Sequence, residues 1–249
     1  MSPEAGAMQL VQEVKDMLEE TPQLAAVLSL PPFEDFAGLM GALFTGLTGN
    51  AAIGEIARRA YQDNPALEPL TTYDVTETAR RNFEPGGPPA VLLFARGLHA
   101  VTAHRVAHHL WTQGETTLAL ALKSTCGRAL GTDIHPAAQI GAGLWLDHGL
   151  GVVIGETCVI EADVSIWHNV TLGSTLGEGG ALRHPHIGQG AVIGAGATVL
   201  GHIHVGAGAN IAAGAIVLAD VPAQTLVTGH KAQARGAARI SFAPKGTGA

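Results

Sequence analysis

Between Asp133 and Ala219 large aliphatic residues recur every six positions, a period that matches neither the 3.6 of a helix nor the 2 of an ordinary strand. Ile134, Ile140 and Leu146 form one run. Ile154, Ile160, Ile166 and Leu172 form a second, and Ile187, Ile193, Val199, Val205, Ile211 and Val217 form a third. Four residues after nearly every one stands another small or aliphatic side chain, among them Ala138, Leu144, Cys158, Val164, Ala191, Ala197, Ala209 and Ala215. Such a unit is a short strand plus a corner, and three units close one turn of a prism. The spacing predicts a parallel β-helix over residues 132–222, of roughly four coils stacked about 4.8 Å apart. Glycines after Ile140, Ile154, Ile187, Ile193 and Val205 suit its tight corners.

The breaks in the period carry as much information as the period. Leu146 and Ile154 are eight apart, so two extra residues crowd in around Asp147, His148 and Gly149. Leu172 and Ile187 are fifteen apart, so the segment from Gly173 to Arg183 must leave the coil as a loop. Each interruption sets a histidine beside a charged residue, Asp147-His148 and Arg183-His184, and local rule-breaking of this kind marks function.

Ahead of the coil, residues 1–131 read as all-helical. Apolar residues at helical spacing run from about Glu4 to Glu20, and helical patterns resume at Glu34–Leu47 and Ala51–Gln62. Thr71–Asn82 is less regular, Pro85-Gly86-Gly87-Pro88-Pro89 reads as a loop, and helices follow at Ala90–Thr112 and Glu115–Leu130. This half is expected to cap the open first coil and to supply an association surface. His99, His104, His108 and His109 share one of these helices without a metal-binding arrangement, and are read as packing residues. The coil pattern stops at Pro222, leaving 223–249 as a tail.

A net charge of −7 argues against a nucleic-acid surface, and no apolar run approaches a membrane span. Two cysteines, Cys126 and Cys158, provide neither a disulfide framework nor a metal cluster, so a reducing, cytoplasmic setting is expected. The acidic, amphipathic start of the chain is unlike a signal peptide.

Several motifs then agree in order and spacing. The helix Phe94-Ala-Arg-Gly-Leu-His-Ala-Val-Thr-Ala-His-Arg, the run Thr132-Asp-Ile-His-Pro-Ala-Ala-Gln-Ile-Gly, Leu146-Asp-His-Gly, Val153-Ile-Gly-Glu-Thr and Arg183-His-Pro-His-Ile-Gly together resemble serine O-acetyltransferase, from about residue 50 to 221. The resemblance implies an α+β architecture, an all-helical N-terminal domain followed by a left-handed coil. It also implies acetyl transfer from acetyl-CoA to the hydroxyl of L-serine, with acetyl-CoA as co-substrate and no cofactor or metal. His148 matches the family's general base and Asp133 the carboxylate that orients it. By the same match Asp147 binds the acceptor's amino group, Arg183 and His184 hold its carboxylate, and the small corners around Ala195, Gly196 and Ala213 carry acetyl-CoA. The family places its site between coils of a trimer, often paired into a hexamer, so Arg183 and His184 come from another subunit than His148.

Three departures from the family pattern bear on function. Asn82 stands where the family has a second serine-binding Asp, which points to weaker ammonium binding or to an altered acceptor such as homoserine, unless Glu84 supplies the charge. Thr228-Gly-His-Lys-Ala lacks the usual Gly-x-Pro-Ala turn after the last coil. The chain ends in Gly248-Ala249 rather than the terminal Ile with which the family docks into the next enzyme of cysteine synthesis, which argues against that complex. A metal-dependent γ-carbonic-anhydrase-like protein is the rival reading, with His148, His168 and His184 or His186 as ligands; the helical half is foreign to it.

Overall fold

A computed structural model describes residues 3–82, 85–175, 181–234 and 236. Its helical part comprises α1 (Pro3–Glu20), α2 (Gln23–Val27), α3 (Phe36–Thr48), α4 (Ala51–Asp63), α5 (Leu67–Arg81), α6 (Gly87–Phe94), α7 (Arg96–Thr112) and α8 (Thr116–Leu130). Boundaries follow local chemistry. Asp35 caps α3 by accepting from the Gly38 N–H at 2.7 Å, and Gly131, at φ 73°, ends α8 and turns the chain into the coil. No helix among the described residues is long and apolar enough to cross a membrane.

Two expectations for this half are corrected. The stretch read as irregular from Thr71 is a regular helix, α5, whose buried face carries Thr71, Asp74 and Thr78 as well as Leu67 and Val75. Polar side chains on the inward face hide the apolar stripe. The single helix expected from Ala90 to Thr112 is two, broken at Ala95, whose extended backbone (ψ 100°) swings the start of α7 onto the coil. A Cβ at Gly97 would lie 1.8 Å from the Leu146 carbonyl oxygen, so only glycine permits that approach.

The coil has three faces. The first stacks Asp133–Ile134, Val153–Ile154, Thr171–Gly173, Thr198–Leu200 and Ile216–Val217. The second stacks Gln139–Ile140, Val159–Ile160, His186–Ile187 and His204–Val205; the third stacks Trp145–Leu146, Ser165–Ile166, Val192–Ile193, Asn210–Ile211 and Leu226–Val227. All pairings are parallel, and the fold is a left-handed parallel β-helix behind a helical N-terminal region. The second residue of each short strand points inward: Ile154, Ile160, Ile166, Leu172, Ile187, Ile193, Val199 and Ile211 are at most 1 % exposed. Ile154 lies opposite Leu172, the regular turn; Ile134 lies opposite Ile154, two residues more, and that surplus is the Asp147-His148 insertion.

The coil also runs past its expected end at Pro222. Leu226–Val227 pairs with Asn210–Ile211, because Pro222 occupies a corner where the ladder asks nothing of its nitrogen: Gly206 donates to Val221 O, and the next donor is Gln224, to Ala207 O.

The helices are bolted to the first coil by polar contacts. Arg105 is paired with Asp74 (Nε to Oδ2 3.1 Å), both almost fully buried, and Arg105 also donates to the carbonyls of Ile140 and Gly141. Asp74 Oδ1 in turn accepts the Gly143 N–H at 2.7 Å. His104 Nε2 lies 3.1 Å from Ala138 O and His108 Nδ1 2.7 Å from Pro136 O, so these two histidines of α7 pack the helix against the coil.

Candidate active site

The edge between the third and first faces carries most of the residues singled out above. At its base is the inserted corner Asp147–Gly151. Above it come Trp167-His168-Asn169, then Gly194-Ala195-Gly196, then Ala212-Ala213-Gly214, joined rung to rung by Asn169 N–H to Leu150 O (2.7 Å), Gly196 N–H to His168 O (2.9 Å) and Gly214 N–H to Ala195 O (2.9 Å). Ala195, Gly196 and Ala213 therefore form a shelf of small residues in line with His148.

His148 sits at φ 61°, in the left-handed region that side chains rarely enter, and its imidazole is 67 % exposed. The strain belongs to the insertion: Gly149 N–H turns back onto Asp147 O at 2.8 Å. Nε2 of His148 lies 3.6 Å from Asp147 Oδ1, and its ring is 6.0 Å from that of His168 on the next rung. Where the broken α6–α7 junction meets this corner there is a cleft of about 570 Å³, with Asp147 and His148 at one side and Asn82, Arg96, Trp145 and Trp167 among its other walls. Asn82 thus reaches the cleft as expected, although its amide oxygen is already occupied, accepting from Trp145 Nε1 at 3.0 Å. Glu84 and the C-terminal Gly248-Ala249 lie outside the described residues.

Asp133 does not contact His148 within one chain. Its carboxylate, on the first face, pairs with Lys123 of α8 and lines a separate cavity with Thr132, Gly151 and Val153. An amine on a neighbouring helix has taken the place expected for the imidazole. Spacing along the coil could bring the two residues to adjoining edges, but could not show what α8 would present there.

Arg183 and His184 occupy a different edge, between the first and second faces. Thr157 organises them: its Oγ1 accepts from the N–H groups of Arg183 (3.1 Å) and His184 (3.2 Å). Thr157 N–H donates to His184 Nδ1 at 3.1 Å, so Nδ1 is the acceptor and the ring proton resides on Nε2. Burial, then the Arg183 charge, pushes the His184 pKa down, which keeps the ring neutral. Arg183 is bound to Glu156 (2.5 Å), and that guanidinium holds the Glu156 carboxyl below the usual carboxylate range. Gly155 gives His184 its place, since a Cβ there would lie 2.1 Å from the ring. The glycine is needed for close approach rather than for the turn conformation expected of it.

One chain thus brings together His148, Asp147, Asn82 and, along the edge, the small-residue shelf, and holds Arg183 with His184 apart from them. Sequence reasoning missed Trp145, Trp167, Arg96, Lys123 and Thr157. Only the two tryptophans carried a signal, standing at outward or corner positions of a coil otherwise nearly free of aromatic residues.

Known proteins share the fold and much of the sequence. Residues 184–219 match the model of the family described as bacterial transferase hexapeptide (six repeats). The serine acetyltransferase of Haemophilus influenzae is 38 % identical over 203 residues, covering 76 % of this chain and 73 % of that protein. Serine acetyltransferase 2 of Arabidopsis thaliana is 56 % identical over 144 residues, 58 % of this chain and 44 % of the relative, so the match spans less than half of that longer protein. A solved serine acetyltransferase in complex with CoA superposes with a TM-score of 0.79 at 36 % identity, covering 90 % of this chain and 96 % of the other. With the helical half, the interrupted coil and a relative matched over most of its length, the chain belongs to the serine acetyltransferase family.

Proposed function

We propose that this chain transfers an acetyl group from acetyl-CoA to the hydroxyl of L-serine, giving O-acetylserine and CoA. The observation that carries the reading is the alignment of His148 with the small corners at Ala195, Gly196 and Ala213 on one edge of the prism. An extended thioester can lie along that edge with its carbonyl beside the imidazole. His148 takes the serine hydroxyl proton as the oxygen attacks the thioester carbon. The tetrahedral intermediate collapses with cleavage of the C–S bond, and the imidazolium returns its proton to the departing sulfur. No acyl-enzyme forms.

Asp147 is the carboxylate nearest the base and is assigned to the acceptor's amino group. Arg183 and the Nε2–H of His184 suit a carboxylate, and they reach it from a neighbouring copy of the chain, since they lie on another edge. Three copies, edge to edge, complete three such sites, and the helical halves are assigned the pairing of trimers. In that assembly Asp133 is assigned to orient His148, once it exchanges Lys123 for the imidazole. The setting assigned is cytoplasmic, in keeping with Cys126 and Cys158 being free and buried.

The test is release of free CoA by the full chain with acetyl-CoA and L-serine or homoserine side by side. L-serine is expected to give the higher kcat/KM; activity with homoserine alone would move the reading to that acceptor. His148→Ala is expected to lower kcat by about 10² to 10⁴ while the oligomer persists. Undiminished turnover in that variant would remove His148 from the role.

A further inference from the structure

The resemblance implies an acidic serine-binding residue at the position of Asn82, and the neighbouring side chains say what the amide does there. Its backbone is fixed at the end of α5, with its N–H donating to Thr78 O at 2.9 Å. Its Oδ1 accepts from the Trp145 indole N–H at 3.0 Å. An indole nitrogen only donates, so the amide has one orientation compatible with this contact. The NH2 group is left without a protein partner among the described residues, and Asn82 lines the cleft. Trp145 is itself held by an edge-to-face contact with Trp167, the ring centroids 4.9 Å apart.

The rest of the cleft agrees with a donor at this point. Among its described lining residues Asp147 is the one carboxylate, while Arg96 is exposed, donates weakly to Leu130 O (3.5 Å) and has no acidic partner among the described residues. Recognition of an ammonium group therefore falls to Asp147. Asn82 and Arg96 add N–H groups to the same cleft.

Resting on the reading of the chain as a serine acetyltransferase, we propose that Trp145 and Asn82 form one specificity element. Trp145 turns the Asn82 amide so that its NH2 group donates to the acceptor's carboxylate and its oxygen is withdrawn from the acceptor's amino group. This reverses the polarity expected from an acidic residue at the same place.

The experiment uses the assembled full chain without acetyl-CoA. Calorimetric titration gives the Kd of L-serine, and competition gives that of 3-hydroxypropanoate, which keeps the carboxylate and hydroxyl but lacks the amine. Asn82→Ala is expected to weaken both by about tenfold and by the same factor, as for loss of one hydrogen bond to a charged group. Trp145→Phe, which keeps the packing ring but loses the N–H, is expected to weaken L-serine severalfold. The double variant should bind no worse than Asn82→Ala, because the indole acts only through the amide. Trp145→His, which restores a ring N–H, should recover part of the loss.

The proposal is overturned if Asn82→Ala weakens L-serine but spares 3-hydroxypropanoate, which would mean that the amide reads the amine. It is also overturned if the two single losses multiply in the double variant, if neither variant changes binding, or if the wild-type chain binds neither compound. Binding that behaves as described, in a chain that releases no CoA with L-serine, would leave this inference standing and sink the assignment of the reaction.

Discussion

His184 shows how one side chain is prepared by its neighbours. Thr157 occupies Nδ1, Gly155 vacates the volume the ring fills, and burial keeps it neutral, so a donor Nε2–H is set before any ligand arrives. Gly155→Ala puts a methyl group into that volume. It should cost about 1–3 kcal/mol through overpacking, read as a lower urea midpoint at unchanged slope, with a raised KM for L-serine as His184 is displaced. An unchanged midpoint would mean that the ring moves aside freely. At this scale the sequence was informative where it broke its own rule: Asp147 and His148 stand out because two residues too many occupy a strict repeat. Lys123 left no such trace, for its meeting with Asp133 depends on how α8 lies against the first coil.

Elements were legible according to what they bury. The coil declares itself because each inward position is aliphatic and nothing else satisfies a narrow interior. α5 did not, since its inward face carries Asp74, Thr71 and Thr78, and a carboxylate paired inside a protein looks on paper like a solvated one. The break at Ala95 was equally silent, as it answers to the Leu146 carbonyl far along the chain. The Asp74–Arg105 pair joins the two halves, with Asp74 fully buried and Arg105 only 4 % exposed. Asp74→Ala leaves that guanidinium without its counter-charge and strips the Gly143 N–H of its acceptor. We expect a loss of about 3–5 kcal/mol in urea unfolding. A loss below about 1 kcal/mol would show that water replaces the carboxylate easily.

For the molecule as a whole, acid is the natural stress. His99 is buried against the Leu92 carbonyl, and burial pushes its pKa down to about 4; His104 is pushed well below its ordinary value by burial, with Arg105 and His108 adding to the effect. Unfolded, both titrate near 6.5. Between those values the unfolded chain binds protons that the native one refuses, so stability is greatest above pH 6.5 and falls as pH drops towards 4, where the His99 share is spent. Thermal unfolding across that range should show a falling Tm, with a shallower slope in His99→Gln. A Tm that holds level from pH 7 to 4 would place both rings in contact with water. The coil could be read from the repeat and the helical half from its 3.6 periodicity, whereas the placing of Arg183 and His184 on a different edge from His148 depends on which strands their corners join.

Because every regular turn repeats the same corner one rung higher, the edge above His148 behaves as a graduated ruler laid beside a fixed zero mark. Whole turns inserted above the irregular corner would lengthen the scale available to a long, thin donor and leave the imidazole where it is. A residue inserted there would turn the later side chains off their marks unless the register is regained within the same rung, as it is between Leu172 and Ile187, which stand fifteen apart and still leave Ile187 opposite Ile160.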